Sequence, residues 1–396
     1  MTPQLPEELL IPILEHLTPT LALDRPAHLE AVRALAACCT ASKQLCRLAQ
    51  PLLWRCVSLQ TEQDVEPSFL DRLCGDEGRL VRSIRTSGAA TTILRRRGMA
   101  EAFKAMSNVE ELELAGLQRL HFLVPFSTLS NLRYLCISKS QQRLPGFIPP
   151  FPTLTTLSLH GVFFIPSTLS AFLTPVNLPS LRVFHLGAIF DPQTSDAYVP
   201  DLAPALLAQL DFVQLHTRAY SRLERASSVD AYLRGSTPLL VSYTHPDELR
   251  TLERQTRLAP AEWAPLHLQV WLILPLAPGR RTSHSDSAVA KAISPQNYAI
   301  YLLRHLIEQL YVPGGPRIAS IWLDPSLQSL FKSEGPSSVD MYGVMSAVYE
   351  LEGCARAQGV ELRYFREEDL GDGEEIFPPT SSAFWEYAQG LKARGA

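Results

Sequence analysis

A chain of 396 residues has room for two or three packed units at about 150 residues each. Its composition, 46% hydrophobic and 19% charged, is too apolar and too weakly charged for a largely disordered protein. The net charge of -4, from 36 basic and 40 acidic residues, excludes a general electrostatic grip on nucleic acid, which needs a basic excess gathered on one face. Leucine fills 63 positions, beside 31 prolines and 20 glycines. That mixture is expected of leucine repeats joined by proline-rich turns.

The opening residues, MTPQLPEELL, place Glu7 and Glu8 ahead of the apolar run and carry no basic segment, so they do not read as a secretory signal. The longest apolar stretch, Leu266 to Ala277, is broken by His267, Gln269 and Pro275 and is shorter than the ~20 residues of a membrane span. The expected location is cytoplasmic and/or nuclear. Cys38, Cys39, Cys46, Cys56, Cys74, Cys136 and Cys354 form no C-x-x-C pair. They read as reduced thiols acting as small hydrophobes, not as disulfides or zinc ligands.

Three helical patterns come first. Leu9, Leu10, Ile13, Leu14 and Leu17 share one helix face behind Pro6, Glu7 and Glu8, which suit a first helical turn. Pro12 removes one backbone donor there and is expected to bend the helix. Leu29, Val32, Ala36 and Cys39 mark a second helix; Leu45, Leu48 and Leu52 mark a third, with Ser42 as its N-cap and Pro51 as its expected end. Leu53 to Leu59 reads as a short strand. Such a small helical core leaves apolar surface that is expected to find a partner.

The order LPEELLIPILEHL, then ALAACCTASKQLCRLAQPLLW, resembles the F-box motif. The matching positions are Leu5, Pro6, Glu8, Leu9, Ile13, Leu17, Leu35, Cys39, Leu45, Leu48, Pro51, Leu53 and Trp54. The resemblance implies docking onto the Skp adaptor of a Skp–cullin–F-box ubiquitin ligase and, through it, onto a cullin. All of these positions except Cys39 are then candidate adaptor-binding residues.

Beyond residue 79 the template L-x-x-L-x-L recurs in register: Val109, Leu112, Leu114; Leu132, Leu135, Ile137; Leu154, Leu157, Leu159; Leu181, Phe184, Leu186; Leu210, Val213, Leu215. The spacing falls in the range of leucine-rich repeats, about 20 to 29 residues. Val81, Ile84 and Thr86 look like a degenerate first copy, and Ile318, Ile321 and Leu323 like a later one. Leu268 to Pro275 reads as a further buried strand, and a helix from Asp340 to Gln358 is expected to lead into a final strand, Val360 to Phe365. No repeat closes its own apolar face, so the copies must stack. The turn position that normally holds Asn lacks it in all five copies, and returns such as 144–152 are proline-rich; an irregular horseshoe is expected.

Alternation along each strand turns the residues between the core leucines to the concave side. That places Glu111, Glu113, Tyr134, His160, His185, Phe212, Gln214 and His216 on the expected target-binding face. His160 and His216 would stand two strands apart, about 10 Å, too far to share one metal ion readily. Arg95–Arg97 reads as a solvated helix face, Gly279–Ser287 as a mobile hydroxyl-rich loop, and Glu367–Glu375 as a solvated acidic tail. Phosphate-loop, dinucleotide, serine-elbow and zinc-protease motifs are absent from the sequence.

The expected protein is therefore α/β: a small N-terminal three-helix F-box (1–60), a linker (61–78), an irregular leucine-rich-repeat solenoid with a parallel sheet (79–370), and an acidic loop and C-terminal tail (371–396). The expected function is a non-catalytic substrate receptor with no cofactor. Its partners would be the Skp adaptor and an unidentified target protein, with no nucleic acid and no membrane. A free-standing interaction scaffold is the alternative.

Overall fold

The computed structural model describes residues 6–19, 25–59, 66–86, 98–117, 126–127, 129–141, 148–216, 228–243, 245–270, 295–324, 327, 339–365 and 382–395. The protein is mixed α/β with parallel sheet, and it divides into two compact units, Met1–Leu181 and Arg182–Ala396. Among the described residues no helix is long and apolar enough to cross a membrane.

The first unit opens with Glu7–His16 (α1), Arg25–Ala41 (α2) and Lys43–Leu53 (α3). The Ser42 hydroxyl accepts the Leu45 amide at 3.1 Å and so caps α3, as its side chain and spacing demand. Pro12 has no N–H to offer the Glu8 carbonyl, yet α1 runs through it to His16. Likewise Pro51 does not end α3: it sits in the last turn, where only one backbone bond is lost, and the helix continues to Leu53. Leu14, Leu35 and Ala49 form the buried centre of the three helices, with Leu17, Cys38, Cys39, Leu45, Leu48, Leu52 and Leu53 packed around them.

Trp54 caps α3, and the following strand is Cys56–Leu59 (β1), shorter than expected because Leu53 belongs to the helix. The expected linker is structured beyond residue 66. Pro67–Cys74 (α4) and a 3-10 turn at Asp76–Leu80 bury Leu70 and Leu73, and Phe69 stacks on Trp54 with ring centroids 5.6 Å apart. Pro67 fits the first turn of α4, and its apolar residues are spaced to cover one side.

A parallel ladder then grows one strand per repeat: β1, Ser83–Thr86 (β2), then, after Met99–Ala105 (α5), Glu111–Ala115 (β3), Tyr134–Ser138 (β4) and Thr156–His160 (β5), followed by Pro166–Phe172 (α6). The register aligns Ile84, Leu112, Leu135 and Leu157, and every core residue of the first three expected repeats is buried. The position lacking asparagine is solved by backbone instead. Gly116, Lys139 and Gly161 take positive φ (74°, 48° and 59°), and the Ser140 hydroxyl accepts the Leu117 amide at 3.0 Å while donating to the Ser138 carbonyl.

The second unit repeats the scheme: Val183–Leu186 (β6), Pro204–Gln209 (α7), Phe212–Leu215 (β7), Ser228–Arg234 (α8), Leu239–Tyr243 (β8), Glu248–Gln255 (α9), Leu266–Val270 (β9), Pro295–Leu310 (α10), Ile318–Leu323 (β10), Val339–Ala357 (α11), Glu361–Tyr364 (β11) and Ser382–Gly395 (α12). Its strands pair in parallel in chain order. The expected buried strand at 268–275 is β9, which begins at Leu266 and lies between β8 and β10; residues 271–275 are outside the described residues. β8 escaped the repeat template because LLVSY does not carry its spacing. The tail also differs from expectation: 382–395 is a helix with Phe384 and Ala388 fully buried.

Two glycines test these contacts in opposite directions. A Cβ on Gly78 would stand 2.0 Å from the Leu73 carbonyl oxygen, whereas one on Gly353, exposed in α11, meets nothing within 4 Å. Thermal unfolding should therefore show Gly78→Ala destabilising the chain by at least ~2 kcal/mol and Gly353→Ala stabilising it by ~0.5–1 kcal/mol.

Candidate functional site

The candidate adaptor-binding residues separate into three environments. Pro6, Glu8, Leu9, Ile13 and Pro51 are exposed, Leu9 and Ile13 by 57% and 58%. Leu17, Leu45, Leu48 and Leu53 are half-buried against the three-helix core. Leu35 and Trp54 are buried, and this corrects their place in the set: Leu35 is the centre of the helix packing, and Trp54 lies beneath Phe69 with the Arg72 guanidinium 4.5 Å from its ring. Leu5 is outside the described residues. What remains free on α1 is an i, i+4 pair of large aliphatic side chains, with Ile11 exposed on the other side of the helix and Leu29 exposed on α2. Glu7 is ion-paired with Arg47, tying the start of α1 to α3.

On the first unit's sheet the expected rows are confirmed by the register, Glu111 beside Tyr134 and Thr156, and Glu113 beside Cys136 and Ser158. Only Glu111 and His160 of the expected target-binding residues keep partial exposure there. Tyr134 is buried. So is Glu113, whose carboxylate takes the Arg85 Nε at 2.5 Å. One register position along, the Ser83 hydroxyl donates to Glu111 at 2.8 Å. A cleft of about 650 Å³ opens at this edge, between Glu15, Thr18 and Arg55 on one side and Arg82, Glu110 and Glu111 on the other.

The second unit's face is a clearer departure. The register sets His185 beside Gln214, Leu240, His267, Ser320 and Glu361, and Ser242 beside Gln269, Trp322 and Arg363. This is the side expected to be open, yet His185, Phe212, Gln214 and His216 are all buried. Over Phe212 the cover is α12: Phe384 and Ala388 pack with Val183, Phe212, Leu240, Trp322 and Phe365 in one hydrophobic cluster, while His185 lies against Phe212 and Gln214 is hydrogen-bonded to Gln269. These four residues are not a free target-binding surface.

The contacts of α12 are specific as well as apolar. The Phe384 ring meets Phe212, His267 and Trp322 edge-on at centroid distances of 4.9, 5.3 and 5.4 Å, and Tyr387 meets Trp322 at 5.5 Å. The Arg363 guanidinium stands 4.6 Å from the Tyr387 ring. Burial opposes ionisation of Glu361, but hydrogen bonds from Arg363 and Tyr387 outweigh it and hold the carboxyl below its usual range. On the other flank, Asp211 accepts the Trp385 indole N–H at 2.8 Å and the Gln389 amide at 3.3 Å. Lys392 Nζ bonds the carbonyls of Ala208 and Gln209 at 3.3 Å, and also that of Leu210, which places a cation at the C-terminal end of α7.

Sequence reasoning missed Asp211, Trp322, Phe384, Trp385, Tyr387 and Lys392. The signal was present: Phe384, Tyr387, Ala388 and Leu391 follow i, i+3, i+4, i+7, with Lys392 and Arg394 in the last turn. The expected basic triplet Arg95–Arg97, the loop Gly279–Ser287 and the acidic run Glu367–Glu375 lie outside the described residues. Among the described residues no group of three or more His, Cys, Asp or Glu could hold a metal ion, and all seven cysteines are free thiols. No protein-family model and no curated protein matches this chain.

Burial pushes the His185 and His267 imidazoles down to about 4; for His267 the Glu361 carboxylate partly opposes this. His267 Nδ1 is hydrogen-bonded with the Ser320 hydroxyl at 2.7 Å, and both rings are neutral in the folded protein near neutral pH. An unfolded histidine titrates near 6.5. Between about pH 6.5 and pH 4 the unfolded chain binds protons that the native chain does not, so stability falls as pH drops through this window. The loss approaches ~3 kcal/mol per residue at its lower end. Urea unfolding at pH 7, 5.5 and 4.5 should show this slope, and His185→Gln should flatten it.

Proposed function

We propose that the chain is a non-catalytic substrate receptor of a Skp–cullin–F-box ubiquitin ligase. The three N-terminal helices dock the Skp adaptor, a cullin is reached through it, and the remainder of the chain recruits a target protein. The observation that carries this reading is the uncovered Leu9 and Ile13 pair on α1, in a three-helix unit whose sequence resembles the F-box motif. Large aliphatic side chains at this exposure gain by transfer to a partner's apolar groove, each by roughly 1.5–3 kcal/mol when fully covered. The parallel ladders, with one strand per leucine repeat, support a degenerate leucine-rich-repeat solenoid as the recruiting part.

The mechanism is proximity. Holding the target and the loaded conjugating enzyme in one assembly raises the effective concentration of target lysines, and the bond-making residues belong to other subunits. No residue of this chain is required to act as nucleophile or base. The second reading is a free-standing interaction scaffold. It is favoured by the fact that only part of the expected docking set is free, Leu35 and Trp54 being buried.

Co-purification of the full chain with the Skp adaptor separates the two readings. A stoichiometric complex is expected from the unmodified chain. Leu9→Glu combined with Ile13→Glu should weaken it at least 100-fold while leaving the thermal transition in place, since both side chains are exposed. Undiminished binding by the double variant overturns the docking surface, and no binding by the unmodified, folded chain leaves the scaffold reading.

A further inference from the structure

We infer that the sheet face beneath α12 is a helix-binding groove with an internal occupant. Its external ligand is an amphipathic helix carrying the same pattern, an aromatic, a second aromatic three residues on, a small residue next to it, and a lysine four residues further. The inference deepens the target-recruiting half of the function proposed above and rests on it for its biological meaning, but its test does not involve the adaptor.

The occupant itself defines the ligand chemistry. α12 has 14 residues, includes Gly390, and ends at Gly395. Isolated helices of this length are marginal in water, so its helicity depends on the surface that receives it. That surface recognises a helix at three places. Phe212, His267 and Trp322 form an aromatic seat for Phe384 and Tyr387. Ala388 is fully buried in the same cluster as Leu240 and Val183, and a larger side chain in a packed position of this kind costs stability. Asp211 and the carbonyl end of α7 receive Trp385, Gln389 and Lys392. An aromatic seat, a slot for a small residue and an acidic end together make a linear helix-recognition surface.

The resident helix does not saturate the groove. Both ring nitrogens of His185, the Ser242 hydroxyl, the Gln214 carbonyl oxygen and the Gln269 amide nitrogen are buried with no hydrogen-bond partner among the described residues, all on this face of the sheet. Buried polar atoms left in this state weaken the packing that covers them. An open volume of about 560 Å³ also runs along the flank of α12, between Glu386, Tyr387 and Arg394 on the helix and Trp322, Arg363 and Tyr364 on the sheet. A partner helix with longer side chains on that flank gains contacts that α12 does not make.

Competition sets the terms of entry. Because α12 belongs to the same chain, it competes with a free helix at an effective concentration on the order of millimolar. A free helix of equal intrinsic affinity therefore binds weakly to the intact chain, and binds well when the resident contacts are loosened.

The experiment uses the full chain and a fluorescent synthetic peptide of residues 381–396. Trp385→Ala with Lys392→Glu in the chain removes the Trp385 bond to Asp211 and the Lys392 contacts with the α7 carbonyls, while leaving the Gln389 bond to Asp211 and Phe384 and Ala388 in the core. This variant should bind the peptide at least tenfold more tightly than the unmodified chain does. A peptide with Phe384→Ser and Tyr387→Ser should not bind either. Absence of binding to a variant with unchanged circular dichroism, or equal binding of the doubly substituted peptide, overturns the groove. If the variant loses its fold, the unmodified chain decides. Millimolar peptide should accelerate amide exchange within its own residues 386–394 several-fold, and an unchanged exchange rate overturns the proposal. Adaptor co-purification by the same variant is expected to be unchanged, so failure here is distinguishable from failure of the ligase reading.

Discussion

A β-strand has two faces, and a stack of parallel strands must find something to do with both. In this protein the leucine faces are satisfied by repetition: Leu112, Leu135 and Leu157 lie in line, as do Phe184 and Val213, and all five are buried. The opposite face has no such automatic solution. How each unit closes it determines which residues remain free to bind anything.

The two units answer differently. In the first, the face carries its own partners: Arg85 holds Glu113, Ser83 holds Glu111, and small side chains such as Ser158 and Thr156 sit beside them. Most of this face is buried too, with partial exposure kept by Arg85, Glu111 and His160, and its polar side chains are held in cross-strand pairs. In the second, the same rows carry Phe212, Leu240 and Trp322, which water would not tolerate as a contiguous patch, and α12 covers them. The cover is held by aromatic edge contacts in the middle and by charge at both flanks, Arg363 and Glu361 on one side, Asp211 and Lys392 on the other. His267 lies directly under this cover, against Phe384 and Tyr387, and burial keeps both its imidazole and that of His185 neutral.

Much of this was legible in the sequence. The leucine spacing located β2 to β7 and β10 because one strand per repeat is dictated by a period that changes little, and Ser42 located the start of α3 because a hydroxyl before an apolar run has a defined capping geometry. The places where reasoning failed share a physical cause. Pro51 was given more weight than its position in a last turn allows. β8 lacks the repeat spacing, so periodicity had nothing to report. The burial of Phe212 could not be judged from its own strand, because it depends on a helix about 170 residues away in the chain. The stripe of Phe384, Tyr387 and Ala388 was readable, but nothing local says which surface it seeks. The left-handed turns at Gly116, Lys139 and Gly161 show the same limit from the other side: the missing asparagine was noted, and only the backbone reveals what replaced it.

The account stands or falls on the second unit's closed face. Hydrogen exchange of the full chain, followed by mass spectrometry, tests it most directly. If α12 is seated as described, the amides of residues 386–394 exchange over minutes to hours, in step with those of β7 and β10 beneath it. Exchange of that segment to completion within seconds, while β7 and β10 stay protected, would contradict the closed face and return His185, Phe212 and Gln214 to an open surface.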